Sequence, residues 1–258
     1  MHKEQKRHRS ARFNFLLTLL TLLTFARGTP TQAELQIPTN LTNQQVQQVL
    51  SILGPSTLPR LLSNPYPLGG YAGLEVGLSY LMLSTADLSH IGNGTPAQDS
   101  FSYPVLSMGK GLYHDVDIFV HAMPYSNSLL LSQFGATVRW CFYEAENLPI
   151  LLSAAITGNS SNLKNQLVVQ NVGYKLTGAL YVRHLTLYIE MGRSHSSGLA
   201  LGTANSSSLT LSQQIEEVSV DLSTLAFGAT FSFGHLFWSI QLDQGASPIY
   251  STQVGGRW

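Results

Sequence analysis

The sequence predicts an all-β fold, a closed antiparallel transmembrane β-barrel of about ten strands preceded by a short amphipathic helix. Three observations carry that expectation. Gln133 to Glu144, read with the side-chain period of two of a strand, puts Phe134, Ala136, Val138, Trp140 and Phe142 on one face, and Gln133, Gly135, Thr137, Arg139, Cys141 and Tyr143 on the other. The same alternation recurs almost to the C-terminus. Its polar face is too small and too Gly-rich for a solvated surface, so apolar outside and polar inside is the arrangement that fits. Finally, only 11% of the 258 residues are charged, against about 25% in an ordinary soluble domain, and Ser, Thr, Asn, Gln and Gly take their place.

The formal net charge of zero hides an asymmetry. Six of the fourteen Lys and Arg lie in the first 33 residues beside a single acid, Glu4, which leaves 8 basic and 13 acidic residues beyond them. That balance excludes a basic nucleic-acid footprint. The one cysteine, Cys141, excludes an intramolecular disulfide and a Cys-based metal site. Its place on an inward face reads as a buried, inert thiol.

From the start of the chain, residues 2–12 form a basic n-region and Phe13 to Ala26 an apolar h-region of 14 residues. Thr31-Gln32-Ala33 puts small residues at the −3 and −1 sites, which predicts a signal peptide over 1–33 cleaved after Ala33. A spanning helix needs roughly 18 to 20 apolar residues, and no later stretch reaches that length either. A secreted chain with an alternating body and no spanning helix points to the outer membrane of a Gram-negative cell envelope. Residues 34–70 show no alternation and hold five prolines. Within them Val46, Val49, Leu50 and Leu53 fall at helical spacing, with Thr42 or Asn43 placed to cap and Gly54-Pro55 to stop. The expectation is a periplasmic segment whose helix plugs or covers the periplasmic opening.

The barrel is expected over 71–258. Strand one sets Leu74, Val76, Leu78, Tyr80 and Met82 outward against Gly73, Glu75, Gly77 and Ser79. A polar connection from Ser84 to Ser102 leads to a weaker strand near Tyr103 to Met108, and Gly109-Lys110-Gly111 turns the chain. Strand three has Val116, Ile118, Val120 and Ala122 outward against Asp115, Asp117, Phe119 and His121, and Pro124 to Ser132 is a loop before the Gln133–Glu144 strand. Strand five spans about Ile150 to Thr157, and Gly158 to Gln166 is a loop. Strand six runs to Arg183 with Asn171, Lys175, Thr177 and Tyr181 inward. Strand seven starts at Leu185 with Thr186, Tyr188 and Glu190 inward, and Ser194 to Gln214 is a long loop. In strand eight, Glu217 to Phe233, the apolar parity switches between Val218, Val220, Leu222 and Leu225, Phe227, Phe231, Phe233. A one-residue slip reverses every side chain, so the sequence predicts a bulge at Leu222 to Leu225. Leu236 to Asp243 and Pro248 to Trp258 complete the set. Short turns near 111, 146, 184 and 235 alternate with longer loops near 93, 128, 162 and 205, the pattern of periplasmic turns and external loops, with one exception near 245.

Taken together, the signal peptide, the alternation over 71–258 and the ending Tyr250-Ser-Thr-Gln-Val-Gly-Gly-Arg-Trp258 resemble the small monomeric barrels of bacterial outer membranes. The resemblance implies a lipid bilayer as environment and barrel insertion machinery as partner, with Tyr250 and Trp258 in the closing strand as the insertion signal; Phe is the commoner last residue. Two local likenesses imply hydrolysis. His195-Ser196-Ser197 resembles the His-x-Ser of outer-membrane lipid A deacylases, but Gly198 replaces the expected Asn and no acid follows before Glu216. Asp115-Val116-Asp117 with His121 resembles the acidic pairs of ten-stranded outer-membrane proteases, but falls at the opposite end of the barrel.

No catalytic, cofactor-binding or metal-ligating set is assigned from the sequence. The inward charges Glu75, Asp115, Asp117, Glu190, Asp221 and Asp243 are expected to pair with Arg139, Lys175, Arg183 and Arg257 in a lumen filled by side chains, because buried charges are costly unless paired. The expected role is structural or adhesive, through loops 84–102 and 195–215 and an extracellular ligand or surface. The alternative is a narrow channel or small-ligand transporter plugged by the N-terminal helix, and a further one is an outer-membrane hydrolase, lipid A deacylase-like or aspartate-dependent protease-like.

Overall fold

The computed structural model describes residue 38 and residues 41–92, 100–123, 131–163, 167–200 and 217–258. The signal peptide and its cleavage site lie outside the described residues. Helix α1 (Asn43–Thr57) precedes β1 (Leu74–Ser84), β2 (Ser100–Gly111), β3 (Val116–Met123), β4 (Leu131–Glu144), β5 (Ile150–Leu163), β6 (Leu167–Val182), β7 (Leu185–Ala200), β8 (Val218–Phe233), β9 (Leu236–Gln244) and β10 (Ile249–Arg257). Each strand pairs antiparallel with its sequence neighbour, and β1 pairs with both β2 and β10, which closes the barrel. At the seam Leu74 N donates to Trp258 O at 2.8 Å and Trp258 N donates to Leu74 O at 2.9 Å. Among the described residues no helix is long and apolar enough to cross a membrane.

Period-two burial runs through β1 to β7. Leu78, Phe134, Ile156, Val172 and Met191 stand on an exposed apolar exterior, and Tyr71, Tyr113, Trp140, Tyr143, Phe233 and Trp258 ring the end that carries the short turns. An apolar band with an aromatic girdle is the surface that hydrocarbon and headgroups accept and water does not.

Several boundaries differ from the sequence expectation. Gly109 and Gly111 are strand residues, and the turn is made at 112–115, where His114 and Asp115 take positive φ. A Cβ at Gly111 would stand 2.2 Å from Gly70 O, so close backbone approach explains that glycine. Strand β5 continues to Leu163 and β7 to Ala200, so the loops expected at 158–166 and 194–214 are much shorter at their starts. The connection after β5 is only 164–166, a second exception to the alternation of short and long connections.

The bulge lies elsewhere. Strand β8 pairs with β7 in unbroken register from Val218 to Phe231, which overturns the bulge expected at Leu222 to Leu225. A register shift occurs instead between Cys141 and Tyr143 in β4, and it turns Tyr143 outward, where it is half exposed. The inward parity of β8 carries Val218, Val220 and Leu222 because the lumen at that level is apolar: Val220 packs against the cluster that contains Val49, Leu50 and Leu53 of α1.

Helix α1 lies inside the barrel. Its start is a capping box, with Gln45 N donating to Thr42 Oγ1 at 3.3 Å and Thr42 N to Gln45 Oε1 at 2.9 Å. It runs through Gly54-Pro55 to Thr57, one turn past the expected stop. Its stripe meets Leu81, Leu83, Phe101, Tyr103, Met123, Leu131, Leu163, Leu167 and Ile249, inward residues at the strand ends away from the short turns. The helix was expected over the opening at the short-turn end. It is seated at the other end because only there do the strands offer an apolar inner wall.

Candidate functional site

The candidate site is the lumen and the segment threaded through it. Contacts down the segment read as a ladder. Leu50 meets Gly198, Gly54 meets Ser196, Leu58 meets Gly173, Pro59 meets Gly135, and Leu68 meets Gly109, each a position where an added Cβ would come within about 3.3 Å of the contact named. The inward glycines clear volume for the chain, which is why the polar face looked too small for a water-lined surface.

The C-terminus of α1 is closed by barrel side chains, since the last carbonyls of a helix have no partners within it. Tyr103 Oη donates to Ser56 O, Gln133 Nε2 and Asn159 Nδ2 donate to Thr57 O at 2.5 and 2.8 Å, and Asn171 Nδ2 donates to Thr57 Oγ1 at 2.9 Å. Arg60 then turns back. Its Nη1 donates to Ser56 O and Leu58 O at 3.2 and 3.0 Å, its Nη2 to Pro55 O at 3.1 Å, and its Nε to Asp243 Oδ2 at 2.9 Å. A cation at a helix C-terminus is favoured by the helix dipole as well as by these bonds.

Below, residues 58–68 follow an irregular path with bends at Leu58, Ser63, Pro65 and Tyr66, and most of them are buried. Arg139 binds Asp117 Oδ2 through Nε and Nη2 at 3.1 and 2.7 Å, and donates to Asn64 O at 2.8 Å and Tyr66 O at 3.0 Å. The second oxygen of Asp117 accepts Leu68 N at 3.1 Å. Glu75 accepts Ser63 Oγ at 2.7 Å and faces Arg257 Nε at 3.5 Å, while Arg257 Nη2 donates to Tyr66 O at 2.5 Å. Lys175 pairs with Glu190 at 3.0 Å, and Gln241 links Glu190 to Asp243. Charge-assisted bonds of this kind order both partners when water is excluded. The void among Pro59, Leu61, Ser63, Arg139, Lys175 and Glu190 measures about 10 Å³, room for roughly one water.

Of the expected lumen charges, Glu75, Asp117, Arg139, Lys175, Glu190, Asp243 and Arg257 face inward. Three do not. Asp115 and Arg183 sit exposed in turns at positive φ, and Asp221 projects from the outer face of β8. Arg60 and Asn64 were missed. The signal was in the charges: Glu75, Asp117, Glu190 and Asp243 are four inward acids against the three bases Arg139, Lys175 and Arg257, and Arg60 is the fourth base.

The two hydrolase likenesses separate in the structure. Asp117 is engaged by Arg139 and Leu68 N, Asp115 is exposed, and His121 is buried against Thr137 Oγ1 at 3.1 Å, so no carboxylate pair holds a water there. His195 and Ser197 lie on the outer face of β7, and Asp221, 26 residues along, meets His195 Nδ1 at 2.9 Å. Among the described residues no cluster of three or more His, Cys, Asp or Glu side chains is placed to hold a metal ion. Tyr250 and Trp258 are both exposed on the exterior.

No family model and no curated protein matches the chain. Among solved structures, the N-terminal β-barrel domain of OprF from Pseudomonas aeruginosa is similar over 73% of this chain and 99% of that one, at 13% identity and a TM-score of 0.31. An outer-membrane channel from Pseudomonas putida F1 is similar over 76% and 98%, at 13% identity and a TM-score of 0.41. The attachment invasion locus protein Ail of Yersinia pestis is similar over 72% and 98%, at 11% identity and a TM-score of 0.29. The proteins the chain is similar to are outer-membrane β-barrels, and the likeness is one of architecture alone.

Proposed function

We propose that this protein is a non-conducting barrel of the bacterial outer membrane that works through its exterior and its long connections, in a structural or adhesive role. The observation that carries the reading is the occupied lumen: the segment from Asn43 to Leu68 is threaded through it, and the void beside Pro59, Leu61 and Ser63 measures about 10 Å³. An eight-stranded barrel is just filled by its own side chains, and ten strands leave room that this segment takes. In this reading residues 1–33 are a cleaved signal peptide, the short turns lie in the periplasm, and the start of α1 opens toward the cell surface. Tyr250 and Trp258 serve the insertion machinery, and β6 to β8, the longest strands, rise furthest from the bilayer.

Single-channel conductance in planar bilayers tests it. The full chain should be silent, and a chain lacking residues 34–66 should conduct. Steady conductance by the full chain would overturn the closed lumen and leave the alternative, a channel gated by the same segment.

A further inference from the structure

We propose that the mouth at the short-turn end is a binding site for a primary alkylammonium group, held by Tyr66, Tyr181, Glu144 and Glu146. It goes beyond the closed lumen and does not depend on whether the barrel conducts. A cavity of about 630 Å³ opens there, within the range of about 300–1,000 Å³ usual for small-molecule sites. The threaded segment supplies Asn64 and Tyr66 to its lining, and the wall comes from the end of β4 with the turn that follows it, from β6 and from β10.

The register shift in β4 builds the acidic side. Phe134, Val138, Trp140 and Phe142 face outward, so an unbroken strand would carry Glu144 outward with them. Instead the shift sets Tyr143 opposite Leu152, which is exposed, and Glu144 opposite Leu151, which is fully buried. A bulge re-aims a side chain, and the one it brings to the mouth is a carboxylate. Glu146 follows in the turn, and both are open to water. Arg257 is the one base among the lining residues, and it is engaged by Glu75 at 3.5 Å and by Tyr66 O at 2.5 Å. Among the described residues neither Glu144 nor Glu146 enters an ion pair. The cavity is left with two carboxylates and no free cation.

The aromatic side is fixed by packing. Tyr66 lies against Cys141, Leu151, Ala179 and Tyr188. Tyr181 stands opposite Thr186 near the end of β6 and meets Tyr66 at 5.6 Å between ring centroids and 65° between planes. Tyr181 remains 38% exposed, so ring surface is free to attract a cation through its quadrupole. A primary ammonium fits this lining in both respects: its three N–H donors match the carboxylates, and its methylene chain can lie along the tyrosines. A quaternary ammonium has no donor for the carboxylates. The same group is carried by a free diamine and by a lysyl side chain of a peptide.

The test is isothermal titration calorimetry on the full chain folded in detergent micelles, with folding verified by its mobility before and after boiling. The probes are cadaverine, Nα-acetyl-lysine amide and choline. Both primary amines should saturate one site, and the tighter of them names free diamine or peptide side chain as the source. Choline should bind roughly tenfold more weakly or worse, and Glu144→Gln and Glu146→Gln should each weaken the tighter amine by roughly tenfold or more. Tyr181→Leu should weaken it by roughly 2- to 5-fold, and Tyr181→Phe should leave it intact. Glu217→Gln, an exposed change just before β8 at the other end of the barrel, should have no effect. A folded barrel that gives no saturable heat with either amine, equal weakening by Glu217→Gln and Glu144→Gln, or choline as tight as the amines overturns the proposal. Amine binding by a barrel that conducts would leave the site standing and sink only the closed-lumen reading.

Discussion

Arg60→Ala removes the one cation that the threaded segment contributes to the lumen. In the structure Arg60 is 6% and Asp243 5% exposed, and the guanidinium spans Asp243 and three carbonyls at the end of α1. Taking away one partner of a buried pair leaves an uncompensated charge, which costs about 3–5 kcal/mol. Gln241 Nε2 remains 3.1 Å from both oxygens of Asp243, so the loss should fall at the lower end, about 3 kcal/mol. Urea unfolding in phosphatidylcholine vesicles, followed by tryptophan fluorescence, gives the magnitude, and a cycle with Asp243→Asn isolates the pair. Residues in one charged network couple by about 0.5–3 kcal/mol, and the coupling here should exceed about 1 kcal/mol. Arg60→Ala within about 0.5 kcal/mol of the unmodified protein, with additive behaviour in the cycle, would refute the placement of Arg60 and with it the path of the segment.

Val138→Arg should cost about 2–4 kcal/mol in lipid, because Val138 is exposed on the bilayer face near the middle of β4. Thr137→Ser, a buried neighbour that keeps the hydroxyl bonded to Thr157, should cost under about 1.5 kcal/mol, and equal losses would remove the assigned facing. Gly198→Val should destabilise the full chain by about 1–3 kcal/mol through overpacking, since its Cβ would stand 3.0 Å from Leu50 Cδ1. Repeating it without residues 34–66 should erase the penalty, and a persistent penalty would place the clash in the barrel wall. Spin labels at Phe227 and Val220 should part company: the first reached by a lipid-soluble quencher, the second shielded from lipid- and water-soluble quenchers until the segment is deleted.

What was legible in the sequence was whatever depends on period two. The outward sets of β1, β3, β6 and β7 follow from alternation because lipid on one side and a crowded lumen on the other leave each residue a single acceptable face. The failures have separate causes. Tyr143 was read inward because a bulge at Phe142 leaves no mark in a run of aromatics. Asp221 was read inward from the assumed bulge, and the true parity carries it outward to His195. Strand ends at Leu163 and Ala200 were cut short because Ser, Asn and Gly read as loop, although here they are strand residues above the apolar band.

The parity switch in β8 shows how a local pattern can be explained by a distant segment. Val218, Val220 and Leu222 and then Leu225, Phe227 and Phe231 cannot all face lipid in a regular strand, and fully exposing or burying each is worth roughly 1.5–3 kcal/mol. A bulge solves the conflict locally by giving up a ladder bond or two. The protein solves it by making the upper lumen apolar, so that the inward set is covered by Val49, Leu50 and Leu53 of α1 and the ladder stays whole. The same logic reads across the barrel. An inner wall that is apolar at one end, cleared by Gly173 and Gly135 further down, and one base short is complementary to a chain that is first an apolar helix and then a narrow Pro-rich stretch that carries an arginine. Residues 43–68 have those properties in that order, so the threaded path was encoded twice, once in the segment and once in the wall that receives it.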